Sequence, residues 1–388
     1  MLVSGQTLNR IPLKTIRDHP LKTNDTPSPV STPAPSINEG DARAFNRRSL
    51  FIGGCPKSGT TLLLSLLVGH PQLVVLPEET FFLEQYFRKY CPLPTIPDRL
   101  RRLLEKTHLQ LLGLGQVKRE RHVVSKDERD YSRFDYPRFV ALMQEVSRQP
   151  WVNDSLLFSE VVRNYAVVQG YDWQKCVHWV EKSVCNEVYH EAMDKLFPDA
   201  KMVQVLRDPR AMFASVKKAL VNQYGAYTKA HRFTRKWNSC TKEKHRLRKN
   251  PERFLVVRYE DLVKNPQEQM QAVCKLAGID FIPDLLNPTR AGEKWQGNSA
   301  HQASFSGIST AAIDQWKSQL TEHEIWWIEL HTRKGMELAG YPLMTDAKFS
   351  LGRWLKRLPG ESWGGYFRAR RASIFQGLGL LKDCRYDS

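Results

Sequence analysis

The chain has 388 residues, 58 Lys and Arg against 41 Asp and Glu for a formal net charge of +17, and seven cysteines. This length suits one α/β domain of about 250–300 residues with tails, and the basic excess favours an anionic partner such as a phosphate, a sulfate, nucleic acid or an anionic membrane surface. The odd cysteine count without a C-x-x-C pair argues against a secreted disulfide framework, and no run approaches the roughly 18 apolar residues of a membrane span. The start, Met1 to Arg10, lacks the apolar stretch of a signal peptide. A cytoplasmic protein with reduced thiols is the expectation.

Residues 1–46 hold Pro12, Pro20, Pro27, Pro29, Pro33 and Pro35 among Ser, Thr and Asn, a composition that buries too little apolar area to offset ordering entropy, and read as a disordered N-terminal tail. From Ser49 short apolar runs follow at Leu50–Gly53, Leu73–Leu76, Cys176–Val180, Met202–Leu206 and Phe254–Val257. Such runs predict strands buried on both faces of a parallel sheet. Helical stretches at Thr60–Val68, Asn186–Leu196, Arg210–Leu220 and Pro266–Ala277 alternate with them, so the predicted class is α/β, a three-layer α/β/α arrangement over residues 47–344. Residues 82–173 read as mainly helical, without a strand, and as an insertion over one end of the sheet on the acceptor side. Residues 229–249 predict a basic helix, either a solvated face or an electrostatic guide for an anion; Phe233 and Trp237 are too few aromatics for a nucleic-acid stacking platform. The tail 345–388 is basic and aromatic (Trp354, Trp363, Tyr366, Arg368, Arg370, Arg371), a composition that suits contact with the domain, another subunit or a membrane surface.

The first strand leads into Gly53-Gly-Cys-Pro-Lys-Ser-Gly-Thr-Thr61 and then a Leu-rich helix. A Gly-rich turn between a buried strand and a helix collects backbone N–H groups at the positive end of the helix dipole, which makes an anion nest. In the ATP and GTP loop the lysine follows the last glycine, whereas Lys57 precedes Gly59 by two residues. This order disfavours the competing reading of a nucleotide kinase or NTPase. Pro56, Lys57, Ser58, Gly59, Thr60 and Thr61 match at every position the 5′-phosphosulfate loop of the sulfotransferase superfamily, which the chain thus resembles. The resemblance implies 3′-phosphoadenosine 5′-phosphosulfate (PAPS) as co-substrate and 3′-phosphoadenosine 5′-phosphate (PAP) as product.

The same resemblance implies a 3′-phosphate site from an arginine at a strand end and a serine eight residues on: Arg207 and Ser215, with Asp208-Pro209 suited to start the helix between them. In the tyrosylprotein branch another arginine follows that serine by four, where this chain has Ala219, with Lys217 and Lys218 beside it. For transfer it implies Lys57 on the phosphosulfate bridge, Lys182 at a strand end beside the sulfuryl group, and a carboxylate base. Counting from His70 favours Glu78, and the Glu-Glu-Thr triplet favours Glu79; adjacent residues point apart, so one qualifies. Tyr259 and Ser299 are implied to contact the donor. No compact His, Cys and carboxylate cluster stands out among eleven histidines, so no metal is expected. The acceptor, a carbohydrate, small metabolite, lipid or tyrosine peptide, has no motif of its own. Neither has the oligomeric state. A basic nucleic-acid or membrane-surface binding protein is the reading from another class.

Overall fold

The computed structural model describes residues 38–86, 93–117, 129–224, 230–247, 249–290, 293–294 and 307–356. Five strands, β1 Ser49–Gly53, β2 Leu73–Val75, β3 His178–Lys182, β4 Lys201–Leu206 and β5 Phe254–Arg258, form one sheet in the order β2-β3-β1-β4-β5. Every pairing in it is parallel. The longer helices are α1 Glu39–Asn46, α2 Thr60–Leu67, α3 Ile96–Lys106, α4 Tyr136–Ser147, α5 Asp154–Gln169, α6 His190–Leu196, α7 Pro209–Tyr224, α8 Ala230–Leu247, α9 Tyr259–Lys264, α10 Pro266–Ala277 and α11 Glu322–Ala339. Among the described residues no helix is long and apolar enough to cross a membrane.

The strands carry apolar residues at both parities because alternate residues enter different cores. Phe51, Val74, Trp179 and Met202 face one layer with Phe45 of α1, Phe158 of α5 and Phe197. Leu50, Ile52, Val75, Val180, Val203 and Val257 face the other, with the leucines of α2 and Met270 and Val273 of α10. A third cluster joins α7, α8 and α11 through Phe213, Trp237 and Trp327. Burying a side chain of this size contributes about 1.5–3 kcal/mol, so the three clusters hold the sheet between helical layers and leave its carboxyl edge to the loops. That is the three-layer α/β/α class read from the alternation.

Four expectations shift. β3 begins two residues later than the run Cys176–Val180, because its register is set by its neighbours: Val75 lies opposite Val180 and Ile52 opposite Lys182. Glu181 and Lys182 therefore end a buried strand. The segment 82–173 is not without strands, since Gln116–Val117 pairs antiparallel with Arg129–Asp130. Its long helix α5 packs on a face of the sheet, through Phe158 on Trp179 at 5.9 Å, rather than over one end.

The domain limits move outward at both ends. Residues 38–46 are not part of a disordered tail: Asn38 caps α1 by accepting from the Asp41 amide at 2.8 Å. Ala42 and Phe45 are fully buried, and Trp179 Nε1 donates to the Phe45 carbonyl at 2.9 Å. At the other end buried Glu329 accepts from the Met344 and Thr345 amides at 2.8 Å each, and Trp326 Nε1 donates to the Lys348 carbonyl at 3.0 Å. Residues 345–348 thus belong to the domain. Residues 1–37 and 357–388 of the two tails lie outside the described residues.

Candidate active site

The loop after β1 turns on three residues at positive φ, Gly54 at 149°, Lys57 at 70° and Gly59 at 106°. Ser58 N donates to the Cys55 carbonyl at 3.0 Å, and α2 begins directly after Gly59. The first N–H groups of a helix have no intrahelical acceptor, so the loop presents them at the positive helix end. The Ser58 hydroxyl is buried without a hydrogen-bond partner. A Cβ on Gly59 would stand 2.5 Å from the Tyr259 ring, so this ring closes one side of the loop. Gly59→Ala combines the left-handed backbone cost of roughly 1–2 kcal/mol with that clash. We expect the melting temperature to fall by about 4–8 °C; an unchanged melt would show that Tyr259 yields without cost.

Arg207 comes from the carboxyl end of β4 and lies against the same loop. Its Nη1 donates to the Lys57 carbonyl and its Nη2 to the Ala312 carbonyl, each at 3.1 Å. The guanidinium lies 4.1 Å from the Tyr259 ring centroid, a cation–π contact, and its Nε is buried without a partner. Asp208 caps α7 by accepting from the Arg210 amide at 2.8 Å. The Asp208 amide donates to Glu260 at 3.0 Å, and Tyr341 holds Glu260 from the other side at 2.9 Å. Ser215 sits well into α7, about 9 Å along the axis from its first residue, so a ligand group must span the gap for Arg207 and Ser215 to act together. Lys217 turns to Glu324 of α11 at 2.8 Å, which removes it as the substitute for an arginine at 219. Ser299 lies outside the described residues.

On the other side of the loop the two adjacent glutamates part. Glu78 is buried, ion-paired with Arg129 and bonded by the Tyr131 hydroxyl at 2.5 Å. Glu79 keeps a fifth of its side chain exposed and accepts from Lys182 Nζ at 2.6 Å. That ammonium also reaches the Thr61 hydroxyl at 3.4 Å. Thr61 of the loop, Lys182 of β3 and Glu79 of the β2 exit therefore meet, and Glu78 is turned away.

A buried carboxylate holds this exit in place. Glu181 accepts from Thr80 Oγ1 at 2.7 Å, from Ser183 Oγ at 2.5 Å and from Asn186 Nδ2 at 2.8 Å. Burial pushes the Glu181 carboxyl up in pKa, and these hydrogen bonds oppose it. Ser183 Oγ also accepts from the Phe81 amide at 2.8 Å, which fixes the left-handed turn at Phe81. His108 stands beside Glu79, its Nδ1 4.0 Å from Oε2. Crowding by protein atoms lowers its pKa, Glu79 raising it in opposition, although one edge of the ring stays open to solvent. Sequence reasoning missed His108, Arg129 and Tyr131, for which no local pattern exists; the charged end of a buried strand was the available signal for Glu181.

Residues 49–283, more than half of the chain, match the profile of the sulfotransferase family. The chain is 25% identical over 241 residues to protein-tyrosine sulfotransferase 2 of Gallus gallus, covering 61% of this chain and 53% of that protein. It is 26% identical over 174 residues to carbohydrate sulfotransferase 3 of Homo sapiens, covering 38% and 35%. The aligned parts thus span about half or less of these relatives' own length. A sulfotransferase domain from the Synechococcus PCC 7002 olefin synthase aligns over 76% of this chain and 95% of that one, at 25% identity and a TM-score of 0.47.

Proposed function

Because the chain belongs to the sulfotransferase family, we propose that it moves a sulfuryl group from PAPS to a hydroxyl or amine of an acceptor by in-line displacement. The observation that carries this reading is the two-sided loop: Thr61, Lys182 and Glu79 meet on one side, and Arg207 stacked on Tyr259 closes the other. The buried, partnerless Arg207 Nε and Ser58 Oγ are what an anion-holding site leaves without its ligand, since buried polar atoms normally find partners. These groups and the N–H groups starting α2 fit a ligand with phosphate or sulfate at two places.

PAPS supplies an activated sulfuryl group at one end and a 3′-phosphate as a second handle. Pro56, Lys57, Ser58, Gly59, Thr60 and Thr61 would hold the 5′ end, and Arg207, Ser215 and Tyr259 the 3′ end. Glu79 takes the proton of the acceptor O–H or N–H as the new bond to sulfur forms and the old sulfur–oxygen bond breaks, its electron pair staying on the phosphate oxygen. Lys57 and Lys182 stabilise the charge that grows on that oxygen and on the transferring group. Lys182 also holds Glu79 in its acceptor-facing rotamer. Reduced thiols and a cytoplasmic location form part of the proposal.

The test compares PAP, MgATP and a short oligonucleotide as thermal-shift ligands. A ligand of the native state present at 100 times its dissociation constant adds about 2.7 kcal/mol. PAP is expected to raise the melting temperature and the other two are not; stabilisation by MgATP without PAP would overturn the reading. A panel of tyrosine peptides, carbohydrates, lipids and small hydroxylated metabolites with labelled PAPS then identifies the acceptor.

A further inference from the structure

Below the loop that carries Lys57, three buried thiols from distant segments come together with a carboxylate. Cys55 belongs to the loop itself, Cys185 follows β3, and Cys240 lies on α8. Cys185 Sγ and Cys240 Sγ are 3.7 Å apart. Cys55 borders this pair but falls outside the group of ligand atoms that lie close to one another. One ligand atom each from Cys185, Cys240 and Glu187 lies within 4.8 Å of the other two. The expectation that the chain holds no compact ligand cluster is thereby corrected, since the members lie 55 positions apart at Cys185 and Cys240.

Two features separate this cluster from ordinary core cysteines. Glu187 is fully buried, and the donors beside its carboxylate are the Cys240 thiol and the backbone amides of Gly54 and of Glu187 itself, none of them in good hydrogen-bond geometry. A carboxylate in that state is costly unless a charge or donor completes it. Oε2 would stand 2.4 Å from a Cβ on Gly53, so the glycine at the end of β1 leaves the space this side chain fills. The sulfur spacing is the second feature. Two sulfurs bound to one zinc at about 2.3 Å with tetrahedral angles stand about 3.8 Å apart, close to the distance seen, whereas a disulfide needs about 2.05 Å. Cys185 is also held at φ 65°, a strained backbone for a non-glycine residue that tends to mark functional positions.

We infer that Cys185, Cys240 and Glu187 form a site for a thiophilic divalent cation, zinc foremost. Lys236, one turn before Cys240 on α8, acts electrostatically on all three sulfurs and compensates part of the surplus negative charge. All three donors are buried, and none of them is among the residues assigned to the donor or the acceptor, so the role is structural rather than catalytic. The Cys185 amide already donates to the Gly54 carbonyl at 2.8 Å. The cation adds a clamp between the end of β3, where Lys182 sits, and α8. No step of sulfuryl transfer runs through it.

The full chain, purified without chelator, should contain about one zinc per chain, released by p-hydroxymercuribenzoate as thiolate-bound zinc is. Exchange with cobalt(II) should give the near-ultraviolet sulfur-to-cobalt absorption of a tetrahedral thiolate site. Cys240→Ser and Cys185→Ser should abolish both signals. Cys274→Ala, a buried thiol outside the cluster, should keep them, and Glu187→Gln should speed zinc loss to 4-(2-pyridylazo)resorcinol. Wild-type protein without zinc and without cobalt absorption overturns the site even if the variants fail to fold. So does a thiol titration that finds two thiols missing and no metal, which would mean a Cys185–Cys240 disulfide, and so does full zinc retention by a folded Cys240→Ser protein. The response to PAP is measured separately and does not depend on the outcome.

Discussion

Glu79→Gln is expected to lower turnover by about 10²–10⁴-fold, the usual contribution of a positioned general base, while PAP still raises the melting temperature as in the wild type. The amide still accepts from Lys182 and keeps its shape, so the change removes proton acceptance and little else. Glu78→Gln should do the opposite. Buried Arg129 and Tyr131 both rest on the Glu78 carboxylate, and breaking a buried ion pair from one side costs about 3–5 kcal/mol. A lower melting temperature with near-normal turnover per folded molecule is the expected signature. The readings are turnover with saturating PAPS and acceptor, and thermal melts with and without PAP. Lost turnover in a well-folded Glu78→Gln protein beside an active Glu79→Gln protein would reverse the assignment. Full activity in both would end the carboxylate-base mechanism and make His108 the next residue to test.

Arg207→Ala should weaken PAP binding by about 10- to 100-fold, because hydrogen bonds to a charged group contribute roughly 1.5–3 kcal/mol. The guanidinium is held by two carbonyls and the face of Tyr259, so its direction is set before a ligand arrives. Arg207→Lys should fall between the two, since an ammonium keeps the charge and loses the planar fork. Adenosine 5′-monophosphate serves as control: it lacks the 3′-phosphate, so the variant should bind it as the wild type does, and the preference for PAP over it should vanish. Calorimetry reads both constants. A preference that survives the substitution would move the 3′-phosphate site away from Arg207.

The features that lie in one contiguous stretch were legible in the chain. The loop Gly53–Thr61 stands out because its glycines, its lysine and its helix start are all local. Leu206-Arg-Asp-Pro announces a strand end, a cap and a first turn in four residues. The five apolar runs predicted a parallel sheet because strands covered on both faces carry apolar residues at both parities. β3 was misplaced by two residues since its register depends on β1 and β2, which no window within β3 contains.

What stayed hidden depends on residues that meet only after folding. The different settings of Glu78 and Glu79 come from Arg129, 51 positions from Glu78, and Lys182, 103 positions from Glu79; adjacent carboxylates look alike until one is buried and the other is left partly exposed at the sheet edge. The domain limits moved because Phe45 and Lys348 carry no local signal of the tryptophans that hold their carbonyls. The loop and its lysine order carry the family resemblance by themselves, since they lie in one short run of residues with fixed backbone preferences. Which carboxylate is buried and which stays partly exposed, and which thiols lie beneath the loop, follow from packing, because burial and charge pairing are properties of neighbours in space.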